Sequence, residues 1–221
     1  SKFTNAAASI TNETQASLQK LRIGKRLKWQ VIQLGIPLTN IELHDPSGDE
    51  TIKLLWVGRF TDIKDPLYAV NVVEELNKSQ PNKFELTMVG GGELLDEVKS
   101  YADNLPVTFT GWLDKPFESV GYFDLLLLTS KNEGMGLVIL EAANCNKATI
   151  SRDVGGVGEF IKDGVNGLLL NGSAELMSSK IAKLSKIEIS NLGKAAHQTL
   201  VKSFTDKVMA DNYYKLYKSL I

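Results

Sequence analysis

The sequence is poor in the residues that carry thiol, redox and metal chemistry. Its 221 residues include one cysteine and two histidines. The single thiol, Cys145, excludes an intramolecular disulfide and a cysteine-based zinc cluster, and it favours a reducing compartment. His44 and His197 are too far apart in sequence to propose a metal pair or a catalytic triad. We expect His44 in a polar loop and His197 in a helix, both without a catalytic role.

The sequence also lacks an excess of charge and long apolar runs. Its net charge is −1, so the overall charge points neither to nucleic acid nor to an anionic membrane. No run approaches the ~18 apolar residues that a membrane-spanning helix needs. Hydrophobic residues make up 43% and charged residues 23%, which is ordinary for a globular protein. The length suits one large domain, or one domain with appendages.

Glycines follow most of the predicted strands. Gly58 follows the apolar segment 52–57, and Gly90 follows the segment 84–89. Segments with helical periodicity lie between the strands, and this alternation predicts an α/β fold with a Rossmann-like parallel sheet and helices on both faces. The predicted strands are 29–34, 52–57, 84–89, 107–110, 123–129, 148–151 and 166–170. Ligands of such sheets bind at the carboxyl ends of the strands, where the strand order reverses.

The predicted helices separate or follow these strands. They are 66–76, 94–105, 136–146, 174–184, 187–204 and 206–220, together with a short helix that begins near Thr11. Asp65 is a candidate N-cap of the second helix in the chain, with Pro66 at its first position. Residues 41–50 are polar and read as a linker or surface loop.

Two glutamates flank a glycine turn after the most apolar strand. Glu133 and Glu141 enclose Gly134-Met135-Gly136 and an apolar run, and a helix is expected to begin near Met135. The glycines let a ligand approach the backbone N–H groups closely. Both carboxylates could then accept hydrogen bonds from one polyhydroxylated ligand at the helix start. Two glutamates eight residues apart also occur by chance, so one exposed and one helix-surface glutamate remains the alternative.

Two cations follow the strand 52–57. Arg59 lies at the strand exit and Lys64 follows within the same loop. Two cations beside helix N-termini would hold a diphosphate. Cations near a strand end are also often plain surface charges, and the basic run between Lys20 and Lys28 has the same two interpretations: a solvated helix face, or a patch that meets an anionic or lipid-phosphate acceptor.

Taken together, these motifs resemble those of retaining glycosyltransferases with the GT-B fold, notably family 4. EGMGLVILE at 133–141 resembles the family's E-x7-E segment, and Gly58 to Lys64 is similar to its GR-x4-K segment. Residues 88–93 and 107–112 resemble its VG-x-G turn and V-x-F-x-G segment. The resemblance covers roughly 52–184 well, although 146–150 lacks the glycine and proline that family members commonly have there.

The resemblance implies a role for each matching position. Arg59 and Lys64 would grip the donor's diphosphate, Glu133 would lie near the donor sugar and pyrophosphate, and Glu141 would bind the ribose hydroxyls. Backbone near Gly111 and Trp112 would lie beside the base. The alternative is that Trp112 is a partly buried packing residue. The catalytic residues would be Glu133, Arg59 and Lys64, and the donor-binding set would be Gly58, Arg59, Lys64, Gly90, Gly111, Trp112, Ser130, Glu133, Gly134, Met135, Gly136, Leu137 and Glu141.

The resemblance also implies a domain plan, with this chain as one half of a GT-B fold. Residues 1–45 would be the tail of a first domain with the connector, 46–205 the nucleotide-sugar-binding domain, and 206–221 a crossover helix. If the first domain is absent, the chain would be only the donor-binding part and inactive by itself. An apolar stripe with Val208, Tyr213 and Leu216 would then be underpacked.

The implied reaction is transfer of a sugar, with retention of configuration, from a UDP-, GDP- or ADP-linked donor to a glycan or lipid-linked acceptor. No metal cofactor is required and no nucleic acid partner is expected. The implied location is the cytoplasm, with peripheral association at the inner face of the membrane left open. A non-catalytic partner subunit and a nucleotide-sugar epimerase are the alternatives. An NAD site is disfavoured because Ile139 stands where a dinucleotide fingerprint has its third glycine.

Overall fold

The computed structural model describes residues 5–24, 26–39, 41, 43 and 50–220. The expectations for Lys25, for His44 and for most of the polar loop 41–50 lie outside the described residues.

A small unit precedes the main sheet. Strand β1 (Ala6–Ser9) pairs in parallel with β2 (Lys28–Val31), and helix α1 (Asn12–Lys20) connects them. Thr11 caps α1, because its side chain accepts a hydrogen bond from the backbone N–H of Thr14. The sequence predicted this helix but not β1, since alanines have little preference for strands and only the pairing with β2 makes these residues extended.

A six-stranded parallel sheet forms the centre of the described chain. Its strands lie in the order β5-β4-β3-β6-β7-β8. This confirms the predicted α/β fold with a parallel sheet. The order runs outward in opposite directions from β3 and β6, so the reversal point lies between these two strands. The strands are β3 (Ile52–Val57), β4 (Phe84–Val89), β5 (Val107–Gly111), β6 (Leu125–Leu128), β7 (Ala148–Ser151) and β8 (Gly167–Leu169).

Helices cover both faces of this sheet. Along β3, Leu54 and Trp56 belong to one apolar cluster, whereas Leu55 belongs to another on the opposite face. Alternate strand residues point to opposite faces, so each face needs its own cover. The helices are α2 (Pro66–Ser79), α3 (Leu95–Tyr101), α4 (Pro116–Ser119), α5 (Leu137–Asn144), α6 (Val157–Phe160), α7 (Ala174–Ile181), α8 (Lys186–Ser203) and α9 (Asp206–Lys218).

Asp65 stands at the N-cap position of α2 with Pro66 at the first position, as expected, but its side chain makes no capping hydrogen bond. Its backbone is left-handed, with φ of 47°, and its carboxylate binds Arg152 instead. The predicted stripe on α9 is covered only in part, because Leu216 is buried whereas Val208 and Tyr213 are half-buried. The end of α9 reaches the small unit, where Lys28 Nζ donates to Ser219 Oγ at 3.1 Å.

Candidate functional site

The exits of β3, β4 and β5 are joined by backbone hydrogen bonds. The Gly58 N–H donates to the Val89 carbonyl at 3.0 Å, and the Gly90 N–H donates to the Gly111 carbonyl at 2.9 Å. A Cβ on Gly90 would lie 1.9 Å from the Gly58 carbonyl oxygen, and Gly90 has φ of +130°. Only glycine satisfies both conditions. The structure therefore places these predicted positions at one edge of the sheet.

Lys64 and Glu133 form an ion pair at the reversal point of the sheet. Lys64 follows β3 in a short 3-10 turn, and Glu133 follows β6. Ser130 Oγ also donates to Glu133 Oε1 at 2.8 Å. The Glu133 side chain is only 8% exposed and the Lys64 side chain 31%. Three predicted site residues are thus in direct contact, although 69 positions separate the lysine from the glutamate.

A buried hydroxyl holds the turn that carries Lys64. Thr129 Oγ1 accepts a hydrogen bond from Trp56 Nε1 at 2.9 Å. The same hydroxyl lies 3.0 Å from the Lys64 carbonyl oxygen and 2.9 Å from that of Asp65, to which it donates. Thr129 is fully buried at the end of β6. The backbone of the Lys64 turn is therefore fixed from beneath by the sheet.

Arg152 adds a second support to this turn. Its Nη1 donates to Asp65 Oδ2 at 2.7 Å and to the Thr129 carbonyl at 2.9 Å. Its guanidinium also lies 3.7 Å from the centre of the Tyr68 ring. Burial is the largest effect on Tyr68 and raises its pKa. Sequence reasoning missed Arg152; its place directly after the buried strand β7, at the ligand edge, was the available signal.

Glu141 lies apart from this cluster, beside a different cavity. Helix α5 begins at Leu137, later than expected, so Glu141 is its fifth residue. The cavity has a volume of about 200 Å³ and is lined by the segment after β2, by the start of α4 and by α5. Burial raises the pKa of Glu141. Among the described residues, the Glu141 carboxylate has no hydrogen-bond or ion-pair partner.

Glu133 and Glu141 line two different cavities, and the expectation that one ligand meets both carboxylates stays a prediction. Glu133 borders a separate pocket of about 260 Å³ next to α1, whereas Glu141 lines the cavity beside α4. A single ligand can contact both carboxylates only if it spans the distance between the two places.

The remaining predicted positions differ in what they expose. Trp112 is 68% exposed, so the interpretation as a partly buried packing residue is wrong; its indole lies against Gly91. Met135 is buried, so only its backbone could meet a ligand, whereas Leu137 is 48% exposed. Arg59 is exposed and forms no ion pair with any residue that the structure describes.

Two features are absent from the residues that the structure describes. These residues contain no group of three or more histidine, cysteine, aspartate or glutamate side chains placed to hold a metal ion. They also include no helix with the length and apolar character that a membrane crossing requires.

Several curated proteins are similar to most of this sequence. An uncharacterised glycosyltransferase of Methanocaldococcus jannaschii is 32% identical over 181 residues, which is 77% of this chain and 46% of that protein. The O-antigen biosynthesis glycosyltransferase WbnH of Escherichia coli is 31% identical over 170 residues, covering 76% of this chain and 46% of its own length. The chain therefore spans about half the length of the curated relatives that it matches.

Solved structures share the fold. Staphylococcus aureus TarM, in a complex with fondaparinux, alpha-GlcNAc-glycerol and UDP, superposes with a TM-score of 0.84 at 19% identity, over 96% of this chain and 44% of TarM. Anabaena HepE, in a complex with UDP and glucose, gives a TM-score of 0.83 at 18% identity, over 99% of this chain and 64% of HepE. The parallel sheet flanked by helices is thus the arrangement found within GT-B glycosyltransferases.

A family model gives the most direct assignment. The model described as "Glycosyl transferases group 1" matches residues 51–186, which is more than half of the chain. The matched region contains the Lys64–Glu133 pair, the turn held by Arg152 and the cavity side chain of Glu141. This chain belongs to the glycosyl transferases group 1 family.

Proposed function

We propose that this chain is the nucleotide-sugar-binding part of a retaining family 4 glycosyltransferase. The intact enzyme would transfer a sugar from a nucleoside diphosphate donor to a glycan or lipid-linked acceptor. The observation that carries the proposal is the Lys64–Glu133 pair at the reversal point of the sheet, together with the unpartnered Glu141 carboxylate beside its own cavity. The Lys64 ammonium suits a phosphate, the Glu133 carboxylate suits the sugar attached to it, and the Glu141 carboxylate suits the ribose.

Lys64 acts at the diphosphate end of the donor. Its ammonium group would neutralise the charge that develops on the departing nucleoside diphosphate, with help from Arg59 and from the N-terminus of α5. No side chain caps that helix start, because Gly136 stands at the cap position. Positive charge and backbone N–H groups there are suited to leaving-group stabilisation without a metal ion. Arg59 is exposed, so it can move toward a bound phosphate.

Glu141 acts at the nucleoside end. A half-buried carboxylate that faces a cavity without a partner has free acceptor capacity, which two ribose hydroxyls would satisfy. The Glu133 carboxylate is held by Lys64 and Ser130, so it is placed to orient the sugar near the phosphate. One nucleotide sugar would contact both carboxylates, with its sugar near Glu133 and its ribose near Glu141.

The relatives favour the same substrate class. The names of two similar structures record UDP, one of them together with glucose. Two curated relatives are described as glycosyltransferases of O-antigen or lipopolysaccharide core biosynthesis. These descriptions favour a glycan or lipid-linked acceptor for the intact protein, and the retaining outcome follows from the family 4 resemblance. Because the chain covers only about half of such relatives, we expect negligible turnover from the chain by itself.

A thermal-shift and calorimetric screen with UDP, GDP and ADP tests the proposal. We expect one nucleotide to raise the melting temperature, and Lys64→Ala to weaken its binding about 10- to 100-fold because a charged hydrogen bond to phosphate is lost. Lys194→Ala, at an exposed position of α8, is the matched control and should bind normally. A folded chain that binds none of the three nucleotides contradicts the proposal.

A further inference from the structure

The small unit before the sheet packs directly on the loops of the candidate site. Ile10 Cδ1 lies 3.2 Å from the position that a Cβ on Gly134 would take. Thr11 Cγ2 lies 2.3 Å from the corresponding position on Gly156, closer than any side chain there would allow. The Gly156 N–H in turn donates to the Glu133 carbonyl at 3.1 Å. The start of α1 and the Glu133 loop therefore form one packed structure.

Glu159 anchors this arrangement. One of its carboxylate oxygens accepts hydrogen bonds from the backbone and the side chain of Asn12, and the other accepts from Gln33 Nε2 at 3.1 Å. Asn12 begins α1, and Gln33 lies just after β2. A single side chain of α6 thus ties both ends of the small unit to the main domain. This bridging fixes which face of α1 looks toward Glu133.

A pocket of about 260 Å³ lies between that face and the Glu133 loop. The pocket is smaller than the range of about 300–1,000 Å³ typical for drug-sized ligands, so it suits one sugar ring better than a nucleotide. Its lining offers carboxylate, hydroxyl and amide groups with one leucine, and no cation. The lining residues are Glu13, Thr14, Ser17, Leu18, Asn132, Glu133 and Gly134.

We propose that α1 forms the second wall of a hexopyranose pocket whose first wall is the Glu133 loop, and that Ser17 and Glu13 read the configuration of the sugar hydroxyls. The inference rests on the proposed function. Carboxylates and hydroxyls pair with sugar hydroxyls, whereas a lining with two acids, of which only Glu133 has a cationic partner, disfavours a phosphate. Ser17 and Glu13 are exposed on α1, so their side chains are available to a ligand.

The bound ring could belong to the donor or to the acceptor, and the binding experiment separates the two. Calorimetry on the full chain compares UDP with UDP-glucose, UDP-galactose and UDP-N-acetylglucosamine, or the matching GDP or ADP series if the nucleotide screen selects that base. A second arm titrates the methyl glycosides of the same sugars in the presence of saturating nucleotide.

The variants are Ser17→Ala, Glu13→Gln and the pocket-filling Ser17→Phe, with Gln19→Ala on α1 as the control outside the pocket lining. We expect each pocket variant to reduce the affinity for one sugar ligand about three- to tenfold, with unchanged affinity for the bare nucleotide. A loss of affinity for the nucleotide sugar assigns the pocket to the donor sugar, and a loss of affinity for the methyl glycoside assigns it to the acceptor.

Unchanged sugar affinities in all three pocket variants, with normal nucleotide binding, would overturn the role of α1 while leaving the proposed function intact. A chain that binds no nucleotide at all would overturn both. Because the substituted positions are exposed on a surface helix, unfolding is not expected, and circular dichroism of each variant checks this directly.

Discussion

The loop that carries Glu133 and the helix that carries Glu141 hold the same side chain in opposite ways. Glu133 is paired with Lys64, accepts a hydrogen bond from Ser130 and is almost buried. Glu141 is half-buried beside a cavity and has no such partner among the described residues. One region is held together by charges, and the other has acceptor capacity that only a ligand can use.

This difference indicates that the two parts of the proposed site contribute to ligand binding in different ways. Fixing a charged pair in advance lowers the cost of arranging it when a diphosphate binds. Leaving a carboxylate partly desolvated destabilises the free protein slightly, and hydroxyl groups of a ligand would remove that cost. Perturbed and unpaired acids of this kind are typical of functional sites. Four predictions test the contrast, beginning with the largest expected effect.

Removing the support beneath the Lys64 turn should cost the most stability. In Arg152→Ala the Asp65 carboxylate and the Thr129 carbonyl both lose their charged donor. The Arg152 and Asp65 side chains are 17% and 19% exposed, so solvent compensates only in part. We expect the free energy of unfolding to fall by about 2–3 kcal/mol, measured by urea denaturation.

A double variant shows whether the ion pair between Arg152 and Asp65 is responsible for this loss of stability. Glycine adopts a positive φ without strain, so Asp65→Gly keeps the backbone of the turn while it removes the carboxylate. In Arg152→Ala combined with Asp65→Gly no unpaired charge remains, and we expect a smaller loss than the sum of the two single variants. Strict additivity would show that Arg152 acts elsewhere.

Substitution of Lys64 should reduce the affinity only for ligands that carry phosphate. Lys64→Ala is expected to weaken UDP binding about 10- to 100-fold and to leave uridine binding unchanged, because only UDP carries the charge that the ammonium contacts. Competition calorimetry with both ligands measures the two affinities, using the selected base in place of uracil if the screen requires it. Equal losses for UDP and uridine would place Lys64 away from the phosphates.

Substitution of Glu141 should weaken the binding of UDP and of uridine alike, unlike substitution of Lys64. In Glu141→Gln one charged acceptor of the ribose hydroxyls becomes a neutral amide, so we expect UDP and uridine to lose affinity by the same factor, about three- to tenfold. Glu133→Gln is the matched variant in the other region and should leave uridine binding unchanged. If only UDP binding suffers in Glu141→Gln, the ribose assignment is wrong.

The smallest expected effect is a pH dependence of stability. Burial raises the pKa of Glu141 above its ordinary value of 4.5, so the folded state binds this proton more tightly than the unfolded state does. The charged carboxylate therefore destabilises the fold above the raised pKa, and this cost disappears as the pH falls below the ordinary value. Glu141→Gln should melt at a higher temperature than the wild type near pH 7, and the difference should shrink as the pH falls and vanish below about pH 4.5.

Much of the fold could be predicted from the sequence because its strands are buried on both sides. The segments 52–57, 84–89 and 148–151 are apolar runs with clear ends, and the structure places β3, β4 and β7 at these bounds. Helices α4 and α6 were missed because four residues are too few to show a helical period. Membership of the glycosyl transferases group 1 family was also predicted correctly. Membership of family 4, retention of configuration and the ligand-binding role of each site residue remain predictions.

The sequence by itself determined the parallel α/β sheet, the glycines at its strand exits and the family. The sheet and its glycines follow from local patterns of apolar residues and from backbone conformations that few residues other than glycine adopt, whereas the family follows from the resemblance of the motifs. Only the tertiary structure decided that Lys64 pairs with Glu133, that Arg152 holds Asp65 and that Glu141 faces its own cavity. The reason is physical: such contacts join residues that are far apart in sequence, and the packing of strands and loops, which no local pattern encodes, brings them together.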